Sequence, residues 1–223
     1  MAVCVVPAGR RGSQRTARPA AAGEGFGPWE TPSGGSRMEQ EVIGMRARVV
    51  YESMFGNTKQ VAEAVGEGLS SRLSVDVVEV GTASCAFDDV ELLVVGGPTH
   101  AFGMSRQNTR HDARRQGQRG GHPVGSIEVG VREWLAEAWP GPGGTAAAAF
   151  DTRVGKSWMP GSAAHGADKL LRRQGFGMAA RPESFWVTDT FGPLRPGELE
   201  RARQWGEDLA AAAAAEAGRG AGV

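Results

Sequence analysis

From Met45 onward, short runs of β-branched and aliphatic residues alternate with stretches whose apolar residues recur at helical spacing, and this alternation restricts the architecture more than any other feature. Val49, Val50 and Tyr51 form a buried-strand run, after which Val61, Val65 and Leu69 stripe a helix. Val75 to Val80 reads as a second strand. Glu91 to Val95, with Leu92, Leu93, Val94 and Val95 adjacent, reads as a third, apolar on both faces as parallel sheets require. Val131, Trp134, Leu135 and Ala138 give a second helical stripe, stopped by P-G-P-G-G at Pro140 to Gly144. Thr145 to Phe150 is placed as a fourth strand by its position, since alanine has low strand preference. Ser162 caps a helix ending at Gly175, Ser184 to Val187 makes a fifth strand, and Leu199, Ala202, Trp205 and Leu209 stripe a last helix after Pro196. Strands and helices in this order predict an α/β fold, a doubly wound five-stranded parallel sheet.

The remaining segments do not share that patterning. Residues 1–44 hold Gly, Pro, Arg, Ser and Ala without periodicity, which reads as a disordered extension, and Met45 could be the start of the functional unit. The domain then spans 45–217, with a short tail at 218–223. Within it, 105–121 is polar, basic and unpatterned, and reads as an inserted, solvated loop carrying Arg106, Arg110, Arg114, Arg115 and Arg119. With 25 basic and 25 acidic residues, the chain has no bulk attraction for nucleic acid or an anionic membrane. No apolar run approaches the ~20 residues of a membrane span. Cys4 and Cys85 lack the spacing of a metal site or a disulfide framework, and the expected location is the cytoplasm. His111, His122 and His165 are scattered without metal spacing, so neither a metal site nor a catalytic residue is assigned.

The chemistry concentrates in S-M-F-G-N-T, Ser53 to Thr58, directly between the first strand and the first helix. At such a turn, successive backbone N–H groups and the helix N-terminus point at one spot and make an anion site without any positive side chain. Ser53, Asn57 and Thr58 add short polar side chains, and Gly56 lets the backbone curl. A phosphate monoester suits the spot; an ordinary helix cap would use the same residues. Lys59 is expected to face solvent.

The segment V-V-Y-E-S-M-F-G-N-T-K-Q-V-A resembles the signature of the flavodoxin family through Tyr51, Ser53, Gly56, Thr58 and Ala62, and departs from it at Gly66, which is expected to weaken helix packing. The resemblance implies the strand order 2-1-3-4-5 and one non-covalently held FMN, its phosphate gripped by Ser53, Met54, Phe55, Gly56, Asn57 and Thr58. A second segment, V-V-G-G-P-T-H-A-F-G, resembles the loop that lies against the isoalloxazine ring in that family. Pro98, Thr99, His100, Ala101, Phe102 and Gly103 are then ring-side residues, and Gly96 and Gly97 would let the backbone approach the ring. A third loop, Asp151 to Ser162, follows the fourth strand where the family closes over the ring; Trp158 either stacks there or packs inside. The only tyrosine is Tyr51, so Phe102, His100 or Trp158 must replace the outer-face tyrosine common in the family.

No G-x-G-x-x-G follows a strand, since G-E-G-F-G at Gly23 to Gly27 lies in the extension; a resident nicotinamide site is not expected. Three function classes remain. An electron-transfer protein, served by a reductase and an acceptor protein, comes first. An FMN-dependent oxidoreductase, such as a quinone reductase or a protoporphyrinogen-oxidising relative, is the alternative, because the insert could shape a pocket. A flavin-less interaction domain is the third.

Overall fold

The computed structural model describes residues 44–125, 127–142, 144–155 and 161–220. The strands are β1 (Arg46–Tyr51), β2 (Ser74–Glu79), β3 (Leu92–His100), β4 (Gly103–Met104), β5 (Ala146–Val154), β6 (Gly177–Met178) and β7 (Glu183–Val187). The helices are α1 (Asn57–Leu69), α2 (Gln107–Arg119), α3 (Val131–Glu137), α4 (Ala163–Arg173) and α5 (Glu198–Gly220). The sheet runs β2-β1-β3-β5, and β6 and β7 pair with successive stretches of β5. All of these pairings are parallel. The order is therefore the expected 2-1-3-4-5 with its fifth position split into two strands; among the described residues, the only antiparallel ladder is the short β3–β4 hairpin.

Side chains alternate between two buried layers. Val49, Tyr51, Val94, Ala148 and Phe150 face α1 and α5, while Val50, Leu93, Val95, Ala147 and Ala149 face α3 and α4. Ala147, Ala148 and Ala149 have no exposed surface, so tertiary burial makes the alanine run a strand despite its weak propensity. The final helix begins just after Pro196, and Ser162 caps α4 by accepting from the His165 N–H at 3.1 Å, both as the sequence suggests.

Three expectations are corrected. Gly66 does not weaken packing: a Cβ there would stand 2.6 Å from Val77 Cγ2, so its absence lets α1 lie against β2. In the same way, a Cβ at Gly68 or Gly206 would overlap backbone of the opposing helix, and α1 and α5 meet backbone to backbone. The third strand does not end at Val95 but continues to His100 and turns back as β4, so much of the expected loop is ladder. The insert is not an unpatterned loop, because 107–119 forms a helix that buries Arg110, Ala113 and Gly117 on one face. The expected disordered extension, apart from Gly44, lies outside the described residues, as do Cys4, G-E-G-F-G, Trp158 and the last three residues of the tail. Among the described residues, no helix is long and apolar enough to cross a membrane.

Candidate functional site

The turn from β1 into α1 is built on Gly56, whose φ of 88° lies in the left-handed region that favours glycine. The Ser53 hydroxyl accepts from the Gly56 N–H at 3.1 Å and from the Lys59 N–H at 3.3 Å, which fixes the curl. Helical geometry gives the first N–H groups of α1, those of Asn57 and Thr58, no acceptor within the helix, and the positive end of its dipole lies at the same spot. The Thr58 hydroxyl is shared with that of Thr152 at 2.7 Å, tying the turn to the end of β5. Lys59 is exposed and sits 3.8 Å from Glu63 on the helix surface.

The β3–β4 hairpin turns through Ala101 and Phe102, at φ of 41° and 72°. Non-glycine residues hold this conformation only where surrounding structure imposes it. Before the turn, the glycines have a different role from the one expected. A Cβ at Gly96 would overlap the ring of Phe150, so Gly96 makes room for a core aromatic, and Gly97 faces Val131. The Thr99 hydroxyl donates to Asp151 Oδ2 at 2.8 Å and accepts from the Ala163 N–H at 2.9 Å. Asp151, fully buried, also receives the Ser162 hydroxyl at 2.6 Å and the Ala164 N–H at 3.0 Å. This network locks the end of β3 to the start of α4.

Between these elements lies a cleft of about 380 Å³. It brings together eight of the residues singled out from sequence: Met54, Phe55, Asn57, Thr58, Pro98, Thr99, His100 and Ala101. Ser53, Gly56, Phe102 and Gly103 do not line it. Ser53 and Gly56 shape the turn from behind, and Phe102 projects from the hairpin, 59 % exposed. The opposite side comes from Thr152, Arg153 and Val154, which fall in the expected third loop but belong to β5, and from Val187 and Thr190, which sequence reasoning missed. Their positions at the carboxyl ends of parallel strands were the available signal.

The larger omission is α2, which lines the cleft with Thr109, Asp112, Ala113 and Gln116. This helix has almost no apolar stripe, and it is held by Arg110, 1 % exposed. Arg110 donates through Nε to the Ile127 carbonyl at 3.0 Å, and through Nη1 to the Ser105 hydroxyl at 2.9 Å and Glu133 Oε2 at 3.1 Å. Glu133 also accepts the Gly130 N–H at 3.1 Å, and Glu52 accepts the Val131 N–H at 2.9 Å, so α2 and α3 are fastened at one polar centre. Farther along, Gly117 allows α2 to rest on Phe55, because a Cβ there would stand 3.0 Å from the ring. Phe55 in turn packs edge-on against Phe191, and the His122 ring stacks on Phe191 at 4.1 Å.

This centre sets the local electrostatics. Burial pushes the Glu52 carboxyl above its ordinary range, against the lowering effects of Ser105, the Val131 N–H and Arg110. Burial, and then the Arg110 charge, hold the His100 imidazole below its ordinary value, so His100 faces the cleft as a neutral ring at physiological pH. The third expected loop is described only as far as Gly155 and from Gly161, and Trp158 lies outside it.

The flavodoxin family model matches residues 49–122. Solved structures with the same fold include a flavodoxin from the domain Archaea, 22 % identical, with a TM-score of 0.51 over 76 % of this chain and 99 % of that one. A flavodoxin of Streptococcus pneumoniae TIGR4 is 19 % identical, with a TM-score of 0.52 over 74 % and 98 % of the two chains. Flavodoxin 1 of Bacillus cereus is 13 % identical, with a TM-score of 0.51 over 74 % and 96 %. No curated protein sequence matches the chain.

Proposed function

We propose that this chain is a flavodoxin-family protein that holds one FMN in the cleft and serves cytoplasmic electron transfer between partner proteins, a reading supported by its fold and by the match over residues 49–122. The observation that carries the reading is the β1–α1 turn, where a left-handed glycine and the free N–H groups of a helix N-terminus open into a cleft of ligand size. The residues fit the group. Asn57 and Thr58 offer backbone N–H groups to a dianionic phosphate, and no compensating cation is required. Pro98, Thr99, His100 and Ala101 on one side, and Val154 and Val187 on the other, supply polar edges and apolar faces for a planar ring. When bound, the flavin supplies one- and two-electron chemistry. The protein's own part is to fix the ring's edge with the Asp151-anchored strand end and to present His100 uncharged.

The test is a titration of purified protein with FMN and with riboflavin. Each charge-assisted hydrogen bond to the phosphate contributes about 1.5–3 kcal/mol, so riboflavin should bind at least about 100-fold more weakly. Equal affinities would defeat the reading. A second reading, an FMN-dependent oxidoreductase, is favoured by α2, which encloses the cleft on one side. Robust steady-state turnover of NAD(P)H with small quinones by the isolated protein would select it.

A further inference from the structure

Helix α2 presents three distinct faces. With about 100° per residue, Arg110, Ala113 and Gly117 form the anchoring face, and Thr109, Asp112 and Gln116 turn toward the cleft beside it. The remaining face carries His111, Arg114, Arg115, Gln118 and Arg119, all exposed. Residues 105–122 contain five arginines and one acid, Asp112, which is paired with Arg115. The rest of the chain from Met45 holds 15 basic and 20 acidic residues, so the basic face stands out from an acidic body. Four residues before Arg106, Phe102 projects into solvent on a left-handed backbone, an exposed aromatic held at the hairpin tip.

We propose that the basic face of α2, together with Phe102, is the docking surface for an acidic partner protein, which it brings to the rim of the cleft. The proposal rests on the electron-transfer reading and adds the partner's chemistry. Its components are those of a transient protein interface, an aromatic anchor flanked by charges that steer encounter. The buried Arg110 makes the surface rigid, so docking requires no ordering of a loop. Duplex nucleic acid fits less well, because the basic face carries no interleaved aromatics and the chain as a whole is neutral. A membrane surface fits less well too, since the outward face of α2 has no apolar residue to insert.

The test uses the full chain, with and without FMN, and a strongly acidic plant-type [2Fe–2S] ferredoxin as probe. Calorimetric titration should show binding that weakens about tenfold or more as ionic strength rises from about 0.03 M to about 0.3 M. The triple variant R114Q/R115Q/R119Q should lose about tenfold in affinity at low salt while keeping its thermal midpoint and its FMN titration. Phe102→Ala should speed dissociation without changing the salt slope. Wild-type affinity in the triple variant, or no salt-dependent binding to ferredoxin, would overturn the proposal. So would tighter binding to duplex DNA or to phosphatidylserine vesicles that the triple variant abolishes, since that would assign the face to a different partner class. Failure of FMN to bind, with ferredoxin docking intact, would instead count against the electron-transfer reading alone.

Discussion

The two walls of the cleft are built on opposite principles. The wall formed by the β1–α1 turn and the end of β5 rests on a conventional apolar sheet, with Val49, Val94 and Phe150 beneath it and α1 pressed against α5. The α2 wall has no comparable apolar support: it buries one small alanine, one glycine and one arginine, and the arginine's hydrogen bonds fasten it to α3 and the preceding loop. Apolar burial is non-directional and tolerant, whereas a buried guanidinium holds position only while its acceptors are all in place. The first wall should therefore fail together with the whole domain, and the second by itself.

Replacing Arg110 with Met gives the sharpest test of that difference. It leaves Ser105, the Ile127 carbonyl and Glu133 without their shared donor, at a cost of about 3 kcal/mol. Hydrogen exchange should rise across Gln107–Arg119 while the β1, β3 and β5 amides stay protected. Arg110→Lys keeps the charge but not the fork, and should recover only part of the loss. Uniform loss of protection across the domain would show that the two walls are one cooperative unit. A smaller effect of the opposite kind is expected at Gly96→Ala. The added methyl overlaps the Phe150 ring, and such overpacking costs about 2 kcal/mol. Here the thermal midpoint should fall in a single transition with no selective exchange in α2; selective exchange there would contradict the division between walls.

The same contrast explains what the sequence could disclose. The supported wall was legible because periodic apolar residues and a glycine-bearing turn are local signals: Val49–Tyr51, the Val61/Val65/Leu69 stripe and Ser53–Thr58 all fall where the elements form. The α2 wall was not legible. Its helix shows Arg110, Ala113 and Gly117 at helical spacing, but an arginine in the buried position reads as solvated until a partner from a distant segment, here Glu133, is in view. Gly66 and Gly96 were misread for a related reason, since what a missing Cβ makes room for depends on which side chain lies opposite. The eight cleft residues found in advance lie in two short contiguous segments, whereas Val187 and Thr190 come from the end of β7 and the turn after it, which only the sheet brings to the cleft.

The smallest expected effect is on pH dependence, and it tests whether the polar centre behind α2 reaches the cleft. His100 has a folded-state pKa below its unfolded value of about 6.5, so its contribution to stability is present above that value and is lost as pH falls through it. Glu52 has a folded-state pKa above its unfolded value of about 4.5 and acts in the other direction. Its contribution is complete below 4.5 and is lost as pH rises through the folded value. Between neutrality and pH 5 the two groups therefore oppose each other, each offsetting part of the other's effect on wild-type stability. Single variants separate them: Glu52→Gln should leave stability falling on acidification, and His100→Gln should leave it rising. Because the Arg110 charge is the second cause of the His100 shift, Arg110→Met should move the imidazole titration upward, read from the His100 ring-proton shifts. An unmoved His100 titration in that variant would show that burial alone holds the ring neutral and that the α2 anchor is electrically silent in the cleft.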